Sequence, residues 1–263
     1  TRYLEGEEIT QEELSAAVKR GVLSGEIIPV IAGSATGSAG VEELLDAMVE
    51  LLPSPADLPD AVVADDDSKG LAADAAGPLA AIVFKTIADP FVGKVSYFRV
   101  MSGTMKSDSR VWNSRKGAEE RIGQLSIVKG KTQDTVDSLV AGDIGGVTKL
   151  SDTGTGDTLC QRDAAVVLGG LSFPAPLFTS AVLPKGKADL DKMASSLSRL
   201  VEEDPTLQVS RAPSTGETLL SGMGETHIDV AMEKAKRKFG VELLNSLPQV
   251  PYRETISATT RTE

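Results

Sequence analysis

Residues 79–113 read LAAIVFKTIADPFVGKVSYFRVMSGTMKSDSRVWN, and three strand-like runs follow one another within them. LAAIVFKTIA, GKVSYFRVMSG and SRVWN are rich in β-branched and aromatic residues, which suit a pleated, half-buried surface. RIGQLSIV, DIGGVTKL and DTLC continue the series beyond residue 113. Turn signals fall between the runs at Ser102-Gly103, Lys116-Gly117, Ala141-Gly142-Asp143 and Thr155-Gly156-Asp157. This spacing predicts a closed antiparallel barrel over residues 78–174, because closure removes the edges that an open sheet leaves free to aggregate.

On the C-terminal side the period changes. LFTSAVLP reads as a strand, and Leu190, Met193, Ala194, Leu197, Leu200 and Val201 then mark an amphipathic helix closed by Asp204-Pro205. TLQVS and ETLLSG are two strands around a Pro-Ser-Thr-Gly turn. Ile228, Ala231, Met232, Ala235 and Phe239 mark a second helix, and VELL a last strand. The order βαββαβ over residues 175–251 is that of the ferredoxin-like split motif.

On the N-terminal side, Thr10-Gln11-Glu12-Glu13 is a capping box that starts a helix carrying Leu14, Ala17 and Val18 on its apolar face. Ile27 to Ala32 is a short apolar run, read as a buried strand. Val41, Leu44, Leu45, Met48, Leu51 and Leu52 recur at helical spacing until Pro53 and Pro55 end the helix. Residues 1–55 therefore read as the closing portion of an α/β layer. Residues 56–77 form an acidic linker whose run Asp65-Asp66-Asp67 is a solvated surface. The Pro-bounded connections near 53–55 and 248–251 are the expected hinges. The fold class is thus multi-domain: α/β, then all-β, then α+β.

The chain has 263 residues, 41% of them hydrophobic, 25% charged and only 4% aromatic, a composition of soluble globular type with cores built from Ala, Val, Leu and Ile. No run approaches the ~18 apolar residues that a membrane helix needs. The single cysteine, Cys160, excludes an intramolecular disulfide and fits a reducing cytosol, so a cytoplasmic place is expected. A net charge of −11 argues against bulk attraction to nucleic acid but leaves room for a local basic patch. The absence of an initiating Met, and an end at ATTRTE just after a new extended segment begins, suggest a piece of a longer protein.

Chemistry is sparse. IPVIAGSATGSAG at 28–40 has glycines at 33, 37 and 40 but no lysine, so it lacks the G-x-x-x-x-G-K-[ST] of a phosphate loop, and its spacing is not that of G-x-G-x-x-G. The plain alternative is a strand-to-helix connection. Cys160 and His227 are the sole Cys and His, too few for a Cys/His zinc site, and His227 at a helix start is read as structural. Basic residues gather on the barrel: Lys94, Arg99, Lys106, Arg110, Arg115, Lys116 and Arg121, then Lys129 and Lys131. Lysine and arginine on the turns of a rigid scaffold commonly contact a phosphate backbone, and Lys94, Lys106, Arg110, Arg115 and Lys116 are the RNA-binding candidates. Lys234, Lys236, Arg237 and Lys238 give the last helix a basic end, which helix-dipole complementarity also explains.

FKTIADPFVGKVSYFRVMSGTMKSDSRVWN, KGAEERIGQL, AGDIGGVTKL and TGDTLC closely resemble the second domain of bacterial elongation factor G. LSFPAPLFTSAVLPKGKADLDKMASSLSRLVEEDPTLQV and SGMGETHIDVAMEKAKRKFGVELLNSLPQVPYRETI resemble its third domain and the entry to its fourth. IPVIAGSA, with the helix running to LLPSP, is similar to the end of its GTP-binding domain. The resemblance implies residues 1–55 as the C-terminal part of a P-loop GTPase domain, the 56–77 linker, a translation-factor barrel at 78–174, a ferredoxin-like third domain at 175–251 and the start of a fourth at 252–263. It implies that Ser34 and Ala35 contact guanine, the Ala35 backbone N–H addressing the base carbonyl oxygen. No residue is implied as catalytic.

The parent so implied is a monomeric translational GTPase that uses GTP or GDP with Mg²⁺. It would engage the ribosome through small-subunit rRNA and ribosomal proteins, the tRNA–mRNA complex indirectly, and no membrane, coupling hydrolysis to tRNA–mRNA translocation. Tetracycline ribosomal-protection proteins share this architecture, but their second-domain strings are less similar. Three departures, Thr226 where the family usually has Leu, SIVKGKTQDTV after Leu125 and an unusually acidic linker at 56–77, leave an alternative: a diverged paralogue acting in ribosome binding, protection or recycling without translocase activity. With no phosphate loop, the isolated chain is expected neither to bind GTP appreciably nor to hydrolyse it. Titration calorimetry checks this, and a micromolar GTP affinity contradicts it.

Overall fold

The computed structural model describes residues 5–6, 8–64, 66–89, 92–130, 132–186, 189–252 and 254. Asp65 of the acidic run and nearly all of 252–263 lie outside them. The chain divides into two compact units, residues 1–59 and residues 60 onward. Among the described residues, no helix is long and apolar enough to cross a membrane.

The first unit holds α1 (Gln11–Leu23) and α2 (Val41–Leu51). The capping box forms as the sequence predicts: the Glu13 N–H donates to Thr10 Oγ1 at 3.2 Å and the Thr10 N–H to Glu13 Oε2 at 3.1 Å. The strand expected at Ile27–Ala32 does not form. The segment has no ladder partner among the described residues, and Ile28 and Val30 stand 83% and 91% exposed. A strand exists only through its neighbours' hydrogen bonds, and none of the described residues of this unit supplies them. Leu44, Leu45 and Met48 on the apolar face of α2 are exposed as well.

The second unit opens with a hairpin, β1 (Ala61–Val63) and β2 (Asp66–Leu71), within the stretch read as a linker. Backbone bonds stitch it to the chain beyond the barrel: the Ala64 N–H donates to the Val167 carbonyl at 2.7 Å and the Gly169 N–H to the Val62 carbonyl at 2.9 Å.

The barrel comprises β3 (Ala80–Asp89), β4 (Gly93–Ser102), β5 (Thr104–Lys106), β6 (Arg110–Asn113), β7 (Ala118–Arg121), β8 (Leu125–Lys129), β9 (Thr132–Val136), β10 (Ser138–Val140), β11 (Ile144–Thr148) and β12 (Thr158–Cys160). Its antiparallel ladder runs β7-β6-β12-β3-β4-β11-β8-β9, with β5 and β10 paired separately. The sheet curls around one core in which Phe98, Val100, Met105, Ile122, Leu125 and Leu159 are fully buried. Local bonds rather than a continuous ladder seal the seam: the Ile122 N–H donates to the Ser109 carbonyl, the Ser107 N–H to the Asp137 carbonyl, and the Leu125 N–H to Ser107 Oγ.

The last module is β13 (Phe178–Pro184), α3 (Leu190–Glu203), β14 (Gln208–Arg211), β15 (Thr218–Gly222), α4 (Glu225–Phe239) and β16 (Leu243–Ser246). The sheet order β14-β15-β13-β16, antiparallel throughout, is that of the ferredoxin-like fold. Leu197, Leu200, Leu220 and Ile228 form the centre of a core separate from that of the barrel.

A buried carboxylate locks one side of the barrel. Glu120, 3% exposed, accepts from the N–H groups of Ser151, Asp152 and Thr153 and from the Thr153 hydroxyl, all at 2.8–3.1 Å. Burial alone would raise its pKa, but these donors, the Thr153 hydroxyl foremost, outweigh it and hold the carboxyl below its usual range. Removing it leaves those N–H groups unpaired. Glu120→Ala is expected to cost roughly 2–4 kcal/mol in denaturant unfolding. Because the folded pKa is depressed, this contribution is complete above the ordinary Glu value of about 4.3 and fades as pH falls through the folded value. An acid titration of stability in both proteins should therefore converge at low pH.

Candidate functional site

The Gly-Ser-Ala corner between Ala32 and α2 is a tight closed turn. The Ser34 N–H donates to the Ala39 carbonyl at 2.9 Å, and the Ala39 N–H returns a bond to the Ser34 carbonyl at 3.2 Å. Its glycines serve this closure: a Cβ on Gly33 would stand 2.9 Å from the Ala39 carbonyl oxygen, and one on Gly40 would stand 2.6 Å from that of Ala32. Gly40 also adopts φ 74°, which L side chains rarely take, as it caps α2. The Ser34 hydroxyl accepts from the Gly37 N–H at 3.2 Å and so is used within the turn. Ala35 is exposed, and its N–H has no partner among the described residues. The corner thus leaves the Ala35 N–H open to solvent beside small side chains. It carries no lysine for phosphates, and nothing in it is a ligand set for Mg²⁺.

The structure separates the five basic candidates. Arg115 and Lys116 occupy the turn between β6 and β7, Arg110 lies on β6, and Lys106 lies on β5 opposite Ser138. All four are exposed. Arg110 Nη1 pairs with Glu119 Oε1 at 2.6 Å, whereas Lys106, Arg115 and Lys116 have no acidic partner among the described residues. Lys94 is apart from them. It is half-buried where β4 begins and lines a crevice of about 350 Å³ with Asp89, Ser195, Arg199 and Glu202, facing α3 rather than open solvent.

The turn bearing Arg115 and Lys116 is held from inside the barrel. Asn113 Oδ1 accepts from the Lys116 N–H at 3.1 Å, and its Nδ2 donates to Thr153 Oγ1 and Asp157 Oδ2, both at 3.0 Å. Asp157 Oδ2 also accepts from the Gly154 N–H at 2.9 Å, and Thr153 donates onward to Glu120. Beside the turn, the Arg162 guanidinium stacks over Trp112, 4.8 Å from the ring centroid. Sequence reading missed Asn113, Glu120 and Asp157. The only signal was Asn113 ending a strand before a basic turn, an ordinary place for a side chain that bonds local backbone.

The basic end of α4 is neutralised at three of its four positions. Lys234 and Lys238 pair with Glu203, and Lys236 pairs with Glu242. His227 is structural, as read. Its Nδ1 accepts from the Met223 N–H at 3.1 Å, which leaves Nε2 to donate to Asp204 Oδ2 at 3.0 Å. Burial pushes the Asp204 carboxyl up, but bonds from Thr206 and His227 hold it below the usual range. A Cβ on Gly222 would lie 2.9 Å from His227 Nδ1, so a glycine is needed there.

A curled antiparallel barrel followed by a ferredoxin-like module defines a translation elongation factor-like chain. Residues 78–162 match the family model for elongation factor G domain 2, and residues 173–245 match that for elongation factor G, domain III. Among solved structures, a protein from Thermus thermophilus is 34% identical over 96% of this chain, with a TM-score of 0.76. The chain spans 36% of the length of that protein. Two consecutive domains, together more than half of the chain, are those of elongation factor G, and the chain belongs to that family.

Proposed function

We propose that the chain is the middle of a ribosome-associated GTPase that couples GTP hydrolysis to tRNA–mRNA translocation. The observation that carries this reading is the succession of a domain 2 barrel and a domain III module, with an unpaired basic turn on the barrel. Lys106, Arg115 and Lys116 are free to meet phosphate, and the buried Asn113 network fixes the turn before contact, which lowers the ordering cost of binding. Arg110 adds charge once Glu119 is displaced. Lys94 contributes least, because it faces α3.

In residues 1–59, the partnerless segment at Ile27–Ala32 and the uncovered face of α2 fit the last layer of a GTP-binding domain whose remaining sheet would cover both. Ser34 shapes the corner, and Ala35 presents its N–H to the guanine carbonyl oxygen. The phosphates and Mg²⁺ of GTP or GDP would be held outside this chain. A cytoplasmic monomer working on the small subunit is the setting this implies.

A second reading, a paralogue that occupies the ribosome without translocating, is favoured by Thr226 in the first turn of α4. Ribosome-stimulated GTP hydrolysis by the full-length protein separates the two readings: multiple turnover supports the translocase, and its absence supports the paralogue. For the barrel, a Lys106→Glu, Arg115→Glu, Lys116→Glu variant of that protein is expected to bind ribosomes at least tenfold more weakly at low salt. The slope of log affinity against log salt should flatten by roughly two units. Lys94→Glu alone is expected to do much less. Unchanged binding in the triple variant places the footprint elsewhere.

A further inference from the structure

The barrel and the ferredoxin-like module do not share a core. The two apolar clusters have no member in common: one spans Leu79 to Leu159, the other Val182 to Leu243. Where α3 meets β3, packing is incomplete and a crevice remains. The 350 Å³ crevice there is lined by Lys94, Asp89, Arg199 and Glu202, two charges of each sign.

Beside it stands a closed set of bonds. Glu203, the last residue of α3, has its side chain 13% exposed. Its Oε2 accepts from the Ala88 N–H of β3 at 3.3 Å and from Lys238 Nζ of α4 at 2.7 Å. Its Oε1 lies 3.5 Å from Lys234 Nζ, one helical turn earlier on α4. Lys238 Nζ also reaches the Ala88 carbonyl at 3.5 Å, the outer limit of a hydrogen bond. Glu203 and Lys238 therefore grip both backbone polar atoms of a single residue, near the far end of the barrel's longest hairpin, while Lys234 braces the Glu203 carboxylate from α4.

We propose that Glu203, Lys234 and Lys238 form a latch that docks the ferredoxin-like module on the β3–β4 hairpin, and that breaking it lets the two modules reorient while each keeps its fold. Interdomain contacts without a common core are expected to be mobile, so a few well-placed bonds decide whether the pair moves as one body. Partial burial gives these bonds weight, since charge-assisted bonds shielded from water are stronger than exposed pairs. Burial works against the Glu203 carboxyl, but Lys238 and the other donors prevail, so the group stays charged and the latch stays closed at neutral pH. The latch concerns the chain itself and stands or falls independently of any ribosomal role.

The test is a distance distribution between spin labels on Ser138→Cys in the barrel and Asp229→Cys on α4, both exposed, with native Cys160 fully buried and unreactive. The chain with its latch intact should give one narrow distribution. Glu203→Gln and Lys238→Met should each broaden it at least twofold with unchanged circular dichroism, and Lys234→Met, at the longer and more exposed contact, should broaden it less. The exchanged pair Glu203→Lys with Lys238→Glu should narrow it again. Distributions that stay narrow in Glu203→Gln and Lys238→Met overturn the proposal, as does broadening accompanied by loss of secondary structure.

Discussion

The pairing of β3 with β4 is the constraint on which the second unit depends. It runs from Ala80↔Ser102 to Asp89↔Gly93, the longest ladder among the described residues. Each partner carries a further strand on its other edge, β12 on β3 and β11 on β4, so the sheet grows outward from this one hairpin in both directions. Register fixes which side chains turn inward, and a slip of one residue would expel Phe98 and Val100 from the core. Shifts at Ala80/Ala81 and Val83/Lys85 bend the pair, as bulges do, which helps the sheet curl. Near the turn end of the same hairpin lies Ala88, whose backbone bonds to Glu203 and Lys238 of the ferredoxin-like module.

Much of this was legible in the sequence because alternation and turn residues are local signals. Strands β3, β4, β6, β8, β11 and β12 of the barrel, both helices of the ferredoxin-like module and the capping box at Thr10 follow from spacing and side-chain type, whereas the short or polar strands β5, β7, β9 and β10 carry no such signal. Ile27–Ala32 failed for the converse reason. An apolar run reports that burial is wanted, not that a partner is present, and the described residues of this unit supply none. The hairpin at 61–71 was hidden because an acidic composition masks two short strands, the first held by backbone bonds to 167–169 and by the buried Val63.

The candidate sites show the same division. The small residues at Ser34 and Ala35 were visible, while the free N–H of Ala35 is a property of the folded turn alone. The basic residues were countable, but their availability was not. Lys94 turns toward α3, Lys234, Lys236 and Lys238 are occupied by carboxylates, and Lys106, Arg115 and Lys116 remain open. Buried carboxylates such as Glu120 and Glu203 are the hardest to foresee, since nothing near them in sequence names the donors, thirty or more residues away, that bring them inside.

In a chain of net charge −11, the rigidly held basic turn is the barrel surface to which the proposal assigns RNA contact. Directed hydroxyl-radical probing tests this most directly, with an iron chelate tethered at Lys116→Cys of the full-length protein bound to ribosomes. The account predicts cleavage confined to a few neighbouring stretches of small-subunit RNA, absent when the chelate sits at Asp229→Cys. Cleavage no different from that of the untethered reagent, or confined to the large subunit, would contradict it.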